Sequence, residues 1–349
     1  MANYFHLYGF VSFFAEVKLL VESRFQHLGL RDIDQSNFES VALTIFKYQA
    51  DNCLIYSEFL RHMKVDPMSV NTLADIPFLP ISFFKSHQVL SQKEEASVIF
   101  KSSGTSNQVR SQHFVSDISV YEQSFMTAFV RLYGPVKDYC VLGLLPSYLE
   151  QGESSLVYMV DHLINNSESK DSGFYLNDYK SLFDILEKQK TDGVKTILFG
   201  VTYALLEMAE QFPINFKDLI IIETGGMKGR RKEIIRTELH QILFNAYESK
   251  YIHSEYGMTE LLSQAYSADD ELFVCPPWMK VKITDLHDPG KPVRNNKTGR
   301  INVIDLANIN SCSFIATNDL GSAHENGKFK VLGRIDNSDV RGCNLLTFG

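Results

Sequence analysis

Residues 196–226 have the sequence TILFGVTYALLEMAEQFPINFKDLIIIETGG, in which two apolar runs flank a helical pattern. The runs at 196–199 and 219–222 are short and rich in β-branched residues, which is typical of buried strands. Residues 203–211 between them have helical character. A strand, a helix and a second strand of these lengths predict a β-α-β unit whose two strands lie parallel.

The same alternation continues on both sides of this unit. Further short apolar runs at 139–145 and 250–253 predict strands, and residues 121–133, 179–189 and 231–245 predict helices. Strands that alternate with helices are typical of an α/β fold, in which helices flank a largely parallel sheet.

Two regions of different character flank the α/β part. The first is mainly helical, because apolar positions between Phe38 and Leu60 mostly recur three or four residues apart, and prolines 77 and 80 end that pattern. After residue 276, short strands separated by Gly, Asp and Asn turns predict a small antiparallel subdomain or barrel. We therefore predict a helical region at 1–95, an α/β core at 96–275 and a β-rich part at 276–349.

Composition excludes several classes of protein. The formal charge of −8 and the absence of a dense Lys/Arg block disfavour nucleic acid as a partner. Five dispersed cysteines without a CxxC pair support neither a disulfide framework nor a structural zinc site. The sequence contains no apolar run long enough to span a membrane, and its N-terminus lacks the basic start of a signal peptide. A cytoplasmic protein is expected.

Residues 100–106, FKSSGTS, carry the first indication of a ligand. Four hydroxyl side chains and a glycine directly follow the apolar run at 96–100. A strand that ends in small hydroxylated residues offers free N–H groups and hydroxyl donors, which suit an oxyanion and phosphate above all. An ordinary turn is the alternative, and the GK[ST] ending of a P-loop is missing.

Three further glycine- or hydroxyl-rich turns are predicted after apolar runs, at 224–226, 256–260 and 318–321. Turns at the carboxyl ends of parallel strands meet at one edge of the sheet, where ligands bind. Residues 256–260, YGMTE, combine an aromatic ring, a flexible glycine, a hydroxyl and a carboxylate that could bind Mg²⁺. The alternative is a strand-to-helix junction in which Thr259 or Glu260 caps a helix that starts near Leu261.

These motifs resemble, in order and spacing, those of the adenylate-forming enzymes. SSGTS at 102–106 resembles their phosphate loop, YGMTE their YGxTE motif, NDLG at 318–321 their TGDLG, and GRID at 333–336 their GRxDD. Within that superfamily the sequence is most similar to the acyl-protein synthetase (LuxE-like) family, on the stretches RSQH at 110–113, LLPSYL at 144–149, TGGMKGRR at 224–231 and RGCNL at 341–345.

The resemblance implies ATP and Mg²⁺ as cofactors and a carboxylic acid, in the first place a fatty acid, as substrate. Thr259 would contact the α-phosphate, Glu260 would bind Mg²⁺, Tyr256 would pack on adenine, Asp319 would bind the ribose and Arg334 would support the nucleotide. Gly200 would lie near the acyl group. The full set of residues that would bind the nucleotide is Ser102, Ser103, Gly104, Thr105, Ser106, Gly225, Gly226, Tyr256, Gly257, Asp319 and Arg334.

Two departures from the family pattern concern cations. Arg110 stands where the phosphate loop of the family has lysine, and an arginine binds phosphate as a fork rather than as a point charge. Typical adenylate-forming enzymes also continue beyond GRxDD as a mobile domain with a catalytic lysine, whereas this sequence ends at Gly349. We expect that domain to be largely absent. His113, close to Arg110, is interpreted as a structural histidine.

Cys343 resembles the cysteine that accepts the acyl group in the LuxE-like family, and Arg341 beside it could lower the pKa of the thiol. The other interpretation is a small buried hydrophobic residue. The predicted function is ATP-dependent acyl activation with Glu260, Thr259, Arg110 and Cys343 as catalytic residues and a reductase or acyltransferase as partner. The alternatives are an acyl- or aryl-CoA ligase and a non-catalytic nucleotide- or acyl-binding subunit.

Overall fold

The computed structural model describes residues 29–91, 94–103, 109–146, 153–225, 234–268 and 271–335. Within these ranges the chain forms eight α-helices and thirteen β-strands. The helices are α1 (Phe38–Asn52), α2 (Leu54–His62), α3 (Phe83–Ser86), α4 (Ile118–Tyr133), α5 (Ser155–Asn166), α6 (Tyr179–Asp192), α7 (Thr202–Gln211) and α8 (Arg236–Tyr247). The strands are β1 (Leu79–Pro80), β2 (Val98–Lys101), β3 (Gln112–Val115), β4 (Cys140–Leu144), β5 (Gly173–Phe174), β6 (Thr196–Val201), β7 (Ile220–Thr224), β8 (Tyr251–Tyr256), β9 (Ala265–Ser267), β10 (Met279–Thr284), β11 (Thr298–Asp305), β12 (Phe314–Ala323) and β13 (Phe329–Arg334).

A six-stranded sheet with the order β5-β4-β6-β7-β8-β9 forms the α/β part of the chain. Its first five strands are parallel, and only β9 runs antiparallel to its neighbour β8. β6 and β7 belong to the β-α-β unit at 196–226, and they pair in parallel from Ile197 opposite Ile220 to Val201 opposite Thr224. The predicted parallel sheet is therefore confirmed, with an antiparallel strand added at one edge.

Helices cover both faces of this sheet. β4 and β6 are buried along their whole length, as expected for strands of a parallel sheet with two covered faces. Consecutive residues of a strand point to opposite faces. Tyr133 of α4 contacts His253 of β8, and His240 of α8 contacts the next residue, Ser254, so α4 and α8 lie on opposite faces. Helix α5, which we did not predict, begins after Ser154 and contacts β4.

A second, five-stranded sheet is built around β12. β11 pairs with one side of β12, and β10 pairs with β11, all antiparallel as predicted. The other side of β12 pairs with β13 and, in parallel, with β1, where Leu79 lies opposite Ile315. The segment where the helical pattern of the N-terminal region ends is thus an edge strand of this sheet. Pro80 is compatible with that position because an edge strand leaves N–H positions unpaired.

Residues 318–321, which we predicted to form a turn, lie inside β12 instead. The strand is irregular there, because its register with β13 shifts between Leu320 and Gly321. A Cβ at Gly321 would lie 2.4 Å from the backbone carbonyl oxygen of Lys330. Glycine is therefore needed at this position because two strands approach each other closely, and not because the chain turns there.

β2 and β3 form a separate two-stranded antiparallel hairpin, from Val98 opposite Val115 to Lys101 opposite Gln112. Residues 102–111, which contain most of the predicted phosphate loop, connect the two strands. Among the helices of the described ranges, none combines the length and apolar character needed to cross a membrane.

Candidate functional site

Two serines hydrogen-bond to each other where the loop leaves β2 and enters β3, a position that we call the hairpin base. The backbone N–H of Ser102 donates to the carbonyl of Ser111, and the N–H of Ser111 donates to the hydroxyl of Ser102 over 2.9 Å. Ser103 is exposed directly beyond this closure. The predicted phosphate-binding residues Gly104, Thr105 and Ser106 lie outside the described residues.

Arg110 is bound to the base of the same hairpin. Its guanidinium donates to the carbonyl oxygens of Ser102 and Lys101, and it lies 3.6 Å from the carboxylate of Glu153. The ammonium of Lys101 contacts the other oxygen of Glu153 at 2.6 Å. Arg110 therefore closes the connection between β2 and β3 by a forked contact that a lysine could not reproduce.

Strand β3 links this hairpin to the YGMTE segment. The buried imidazole of His113 makes a 2.8 Å hydrogen bond through Nδ1 with the carbonyl oxygen of Thr259. The side chain of Ser111, two residues earlier and thus on the same side of the chain, lies close enough to the carboxylate of Glu260 to lower its pKa. Burial lowers the pKa of His113 to about 4, so its ring is neutral at pH 7. His113, which we interpreted as a structural histidine, thus contacts the backbone of the predicted site, but its Nε2 is buried without a hydrogen-bond partner in the described part of the chain.

Residues 257–264 form no helix, so the alternative in which Thr259 or Glu260 caps a helix is wrong. Side chains from the end of β11 and from the connection after it hold this segment instead. Asp305 accepts hydrogen bonds from the backbone N–H of Leu262 and the hydroxyl of Ser263, and Asn308 donates to the carbonyl of Glu260 over 2.8 Å. The segment is therefore fixed by residues more than forty positions away in sequence.

Glu260 presents a buried carboxyl group in the segment that follows β8. Burial raises the pKa of Glu260, while the Ser111 hydroxyl and the charge of Arg334 lower it. No cluster of three or more acidic, histidine or cysteine ligands exists in the described part of the chain. A divalent cation at Glu260 would thus take at most two such side chains from the described residues and complete its coordination with water and phosphate oxygens, which fits Mg²⁺.

Tyr256, Asp319 and Arg334 join three of the sequence motifs by direct contacts. The hydroxyl of Tyr256 donates to Asp319 Oδ2 over 2.9 Å, and Arg334 Nε lies 3.5 Å from Asp319 Oδ1. Burial raises the pKa of Asp319, whereas Arg334 and Tyr256 lower it. The ring of Tyr256 is 8% exposed and packs edge-on against Phe273 and Phe329. Arg334 itself is largely exposed.

The carboxyl ends of β7 and β8 bring together acidic residues that we did not predict. Thr224 donates to the carboxylate of Glu255, and Glu223 forms a 3.0 Å ion pair with Arg236. Desolvation, together with the charge of Glu223, raises the pKa of Glu255 to about 7. Only the position of Glu255 next to YGMTE could have indicated these residues from sequence.

The predicted glycines have different surroundings at this edge. Gly225 follows β7 with a positive φ of 71° and accepts a hydrogen bond from Thr202, whereas Gly226 lies outside the described residues. A Cβ at Gly257 would lie 2.2 Å from Glu255 Oε1. At Gly200, a Cβ would lie 2.5 Å from the side chain of Leu205, so that strand end has no free space for a larger residue.

The predicted acyl acceptor Cys343 lies outside the described residues. The four cysteines within them are all reduced, and burial raises the pKa of each thiol, in the case of Cys275 to about 12. These four thiols are therefore poor nucleophiles at neutral pH, because the thiolate is the reactive form.

The sequence matches the family model described as acyl-protein synthetase, LuxE, over residues 18–347. No curated protein matches it.

Two kinds of solved structure have a similar fold. An open conformation of 2-hydroxyisobutyryl-CoA ligase in complex with 2-HIB-AMP and CoA matches with a TM-score of 0.65 and 11% identity, over 89% of this chain and 76% of that one. ATP-bound MatB from Rhodopseudomonas palustris matches with a TM-score of 0.52 and 17% identity, over 68% of this chain. The matched part is 47% of the MatB chain, or about half its length. The fold is that of the adenylate-forming ligases, as predicted.

Proposed function

Because the chain belongs to the LuxE acyl-protein synthetase family, we propose that it uses ATP to activate a carboxylic acid as an acyl-adenylate. A carboxylate oxygen would attack the α-phosphorus of ATP, and the bond to pyrophosphate would break. The observation that carries this proposal is the direct contact between motifs far apart in sequence. The β2–β3 hairpin, which we call the phosphate hairpin, reaches Thr259 and Glu260 through His113 and Ser111. Tyr256 in turn reaches Asp319.

We assign the nucleotide to the space around these contacts. Ser102 to Ser106 would hold the phosphates, with Gly225, Gly226 and Gly257 allowing close approach of the backbone. Thr259 would contact the α-phosphate, Asp319 the ribose hydroxyls and Arg334 the nucleotide charge. Support for these roles is that Ser103, Gly225 and Arg334 are exposed, and that Arg334 lies 3.5 Å from the buried carboxylate of Asp319. Only a small part of the Tyr256 ring would meet adenine, since Tyr256 is 8% exposed and already packs against Phe273 and Phe329.

Arg110 has a different part in this proposal from the lysine that it replaces. Its guanidinium contacts two backbone carbonyls and Glu153. We infer that Arg110 shapes the phosphate hairpin and adds positive charge beneath it. Mg²⁺ would neutralise phosphate charge when bound at Glu260, whose buried carboxyl has no cation within ion-pair distance among the described residues.

We further propose that the acyl group passes to the thiolate of Cys343, with AMP as the leaving group. The raised pKa of the four described cysteines supports this choice, because each of them is held as a thiol. On the same ground we propose a fatty acid as substrate, a reductase or acyltransferase as the next acceptor and a cytoplasmic location.

Two other functions remain as alternatives to be tested. Coenzyme A could take the acyl group, and the fold shared with 2-hydroxyisobutyryl-CoA ligase favours that acceptor over others. The second alternative is a non-catalytic nucleotide- or acyl-binding subunit. It is favoured because the guanidinium of Arg110 contacts backbone carbonyls of the hairpin base, unlike a lysine that binds phosphate.

ATP–pyrophosphate exchange across a panel of fatty, aryl, hydroxy and amino acids tests the adenylation step. We expect exchange with at least one acid and its loss in Glu260→Gln, while the matched change Glu325→Gln at an exposed position has no effect. Absence of exchange with every acid, together with ATP binding in calorimetry, would instead indicate the binding subunit.

Intact-mass measurement after incubation with ATP and the active acid tests the acceptor. We expect a mass increase of one acyl group in the wild type and none in Cys343→Ser, with Cys275→Ser as the matched control. An adduct that persists in Cys343→Ser contradicts the assignment of this cysteine. Free acyl-CoA without a protein adduct identifies coenzyme A as the acceptor.

A further inference from the structure

Two buried side chains outside the predicted site hold the backbone on both sides of Glu260. His113 Nδ1 lies 2.8 Å from the carbonyl oxygen of Thr259, and Asn308 Nδ2 lies 2.8 Å from the carbonyl oxygen of Glu260. A carbonyl oxygen only accepts hydrogen bonds, so His113 carries its proton on Nδ1. Because the two carbonyls are consecutive, the two donors fix the orientation of both peptide groups that flank the Glu260 side chain.

The opposite polar atom of each side chain is unsatisfied. His113 Nε2 and Asn308 Oδ1 are both buried without a hydrogen-bond partner in the described part of the chain. Both residues are almost fully inaccessible, at 0% and 1% exposure. Burying an unpaired acceptor destabilises a fold, so hydrophobic packing alone does not explain a histidine and an asparagine at these positions.

The two side chains come from elements that are far apart in the sequence. His113 belongs to β3 of the phosphate hairpin, and Asn308 belongs to the connection between β11 and β12. Ser111 of the same hairpin contacts the Glu260 carboxylate. The hairpin that we assign to phosphate and the carboxylate that we assign to Mg²⁺ are therefore connected through one peptide segment.

We propose that His113 and Asn308 are positioning residues that hold the backbone of Thr259 and Glu260 so that the Glu260 carboxylate is oriented to bind Mg²⁺. This role rests on the proposed function, because it assigns Mg²⁺ to Glu260. Neither residue contacts substrate in it; both act through the backbone of Thr259 and Glu260. A displacement of that backbone would weaken Mg²⁺-dependent steps and leave acid binding unchanged.

Two substitutions of His113 separate the hydrogen bond from the packing of the ring. His113→Phe keeps an aromatic ring beside Phe84, whose ring centre lies 5.7 Å away, but removes the donor. His113→Asn removes the ring and keeps an amide donor near the position of Nδ1. The matched control is His87→Phe, since His87 is exposed and stacks on Phe83.

The concentration of Mg²⁺ for half-maximal ATP–pyrophosphate exchange is the main measurement. We expect His113→Phe to raise it about tenfold with the KM of the acid within about twofold, the loss expected for one buried hydrogen bond. His113→Asn should stay within about threefold of the wild type. Unchanged Mg²⁺ dependence in His113→Phe, or equal impairment in both variants, would overturn the proposal.

Two measurements that need no turnover keep the proposal testable if adenylation itself is not observed. Nitrogen-15 NMR of the wild type should show a protonated Nδ1 and an unprotonated Nε2 for His113. The reverse tautomer would overturn the proposed positioning role of His113. Calorimetry of ATP binding at varied Mg²⁺ should show the same difference between His113→Phe and His113→Asn. If exchange fails while the tautomer and the calorimetric difference are as expected, the proposed reaction is refuted and the positioning role of His113 is not.

Discussion

The hydroxyl of Tyr256 donates a 2.9 Å hydrogen bond to Asp319, and this contact joins the end of β8 to the middle of β12. Asp319 is 9% exposed, and its other oxygen lies 3.5 Å from the exposed Arg334. The two sheets are therefore connected by a buried carboxylate with one neutral and one charged partner.

Tyr256→Phe should destabilise the protein by about 1–3 kcal/mol, because it leaves a buried carboxylate with one donor fewer and keeps the ring in its aromatic contacts. Urea unfolding at pH 7 measures the loss. Tyr251→Phe, at an exposed tyrosine, is the control and should lie within about 0.5 kcal/mol of the wild type. Equal stability of the two variants would show that the hydrogen bond contributes nothing.

Arg110→Lys should weaken ATP binding several-fold although the charge is kept. Lysine cannot reach the carbonyls of Ser102 and Lys101 together, so the hairpin base would lose its forked contact. Glu153→Gln should cost less than about 1 kcal/mol of stability, because its ion pairs are partly exposed and screened by solvent. Calorimetry with ATP and urea unfolding compare the variants; tighter ATP binding in Arg110→Lys would contradict this view of the hairpin.

Gly321→Ala should destabilise the five-stranded sheet by more than about 2 kcal/mol, since its Cβ would meet the backbone carbonyl of Lys330 at 2.4 Å. Gly173→Ala in β5 is the matched control, because no atom lies within 4 Å of the added Cβ there. Thermal unfolding of both variants checks the difference. A Gly321→Ala protein as stable as Gly173→Ala would mean that β13 shifts without cost.

The elements of the α/β part could be predicted because their information is local. The apolar runs of β4, β6, β7 and β8 and the helical patterns between them alternate within short windows, and each one appears in the structure. The partner of β1 could not be predicted in the same way. Leu79–Pro80 is too short to show a period, and its pairing with β12 depends on contacts more than two hundred residues away.

One prediction and one alternative interpretation failed because long-range contacts override local sequence preference. Residues 318–321 contain turn-forming residue types, but β13 pairs with them and makes glycine necessary inside a strand. Residues 257–264 begin like a helix cap, but their backbone hydrogen bonds go to Asp305, Asn308 and His113. The motif residues themselves are visible in the sequence, whereas the side chains that hold them are not.

His113 and Asn308 line a small pocket of about 20 Å³. A space of this size holds one water molecule, and a water can donate one hydrogen to Nε2 and the other to Oδ1. A high-resolution crystal structure should therefore show an ordered water about 2.7–3.2 Å from both atoms, and His113→Phe should lose it. An empty pocket with both acceptors still unpaired would contradict this prediction.

Glu255→Gln should make the stability of the protein less dependent on pH. The pKa of Glu255 is raised to about 7 in the folded state from its usual value of 4.5, first by desolvation and then by the charge of Glu223. A carboxyl group with a raised pKa binds its proton more tightly in the folded state. Its contribution to stability is therefore complete below pH 4.5 and is lost as the pH rises through 7.

The glutamine cannot lose a proton, so Glu255→Gln should gain on the order of 1–3 kcal/mol relative to the wild type between pH 4.5 and pH 8. The lower part of this range applies if the partly exposed side chain keeps some hydration. Urea unfolding at several pH values measures the difference, and Glu325→Gln controls for the loss of an exposed charge. Asp305, whose pKa burial raises to about 6, leaves a residual pH dependence in both proteins, so only the difference between them tests Glu255. Parallel stability curves for Glu255→Gln and the wild type would show that the Glu255 carboxyl is ionised in the fold at neutral pH without cost.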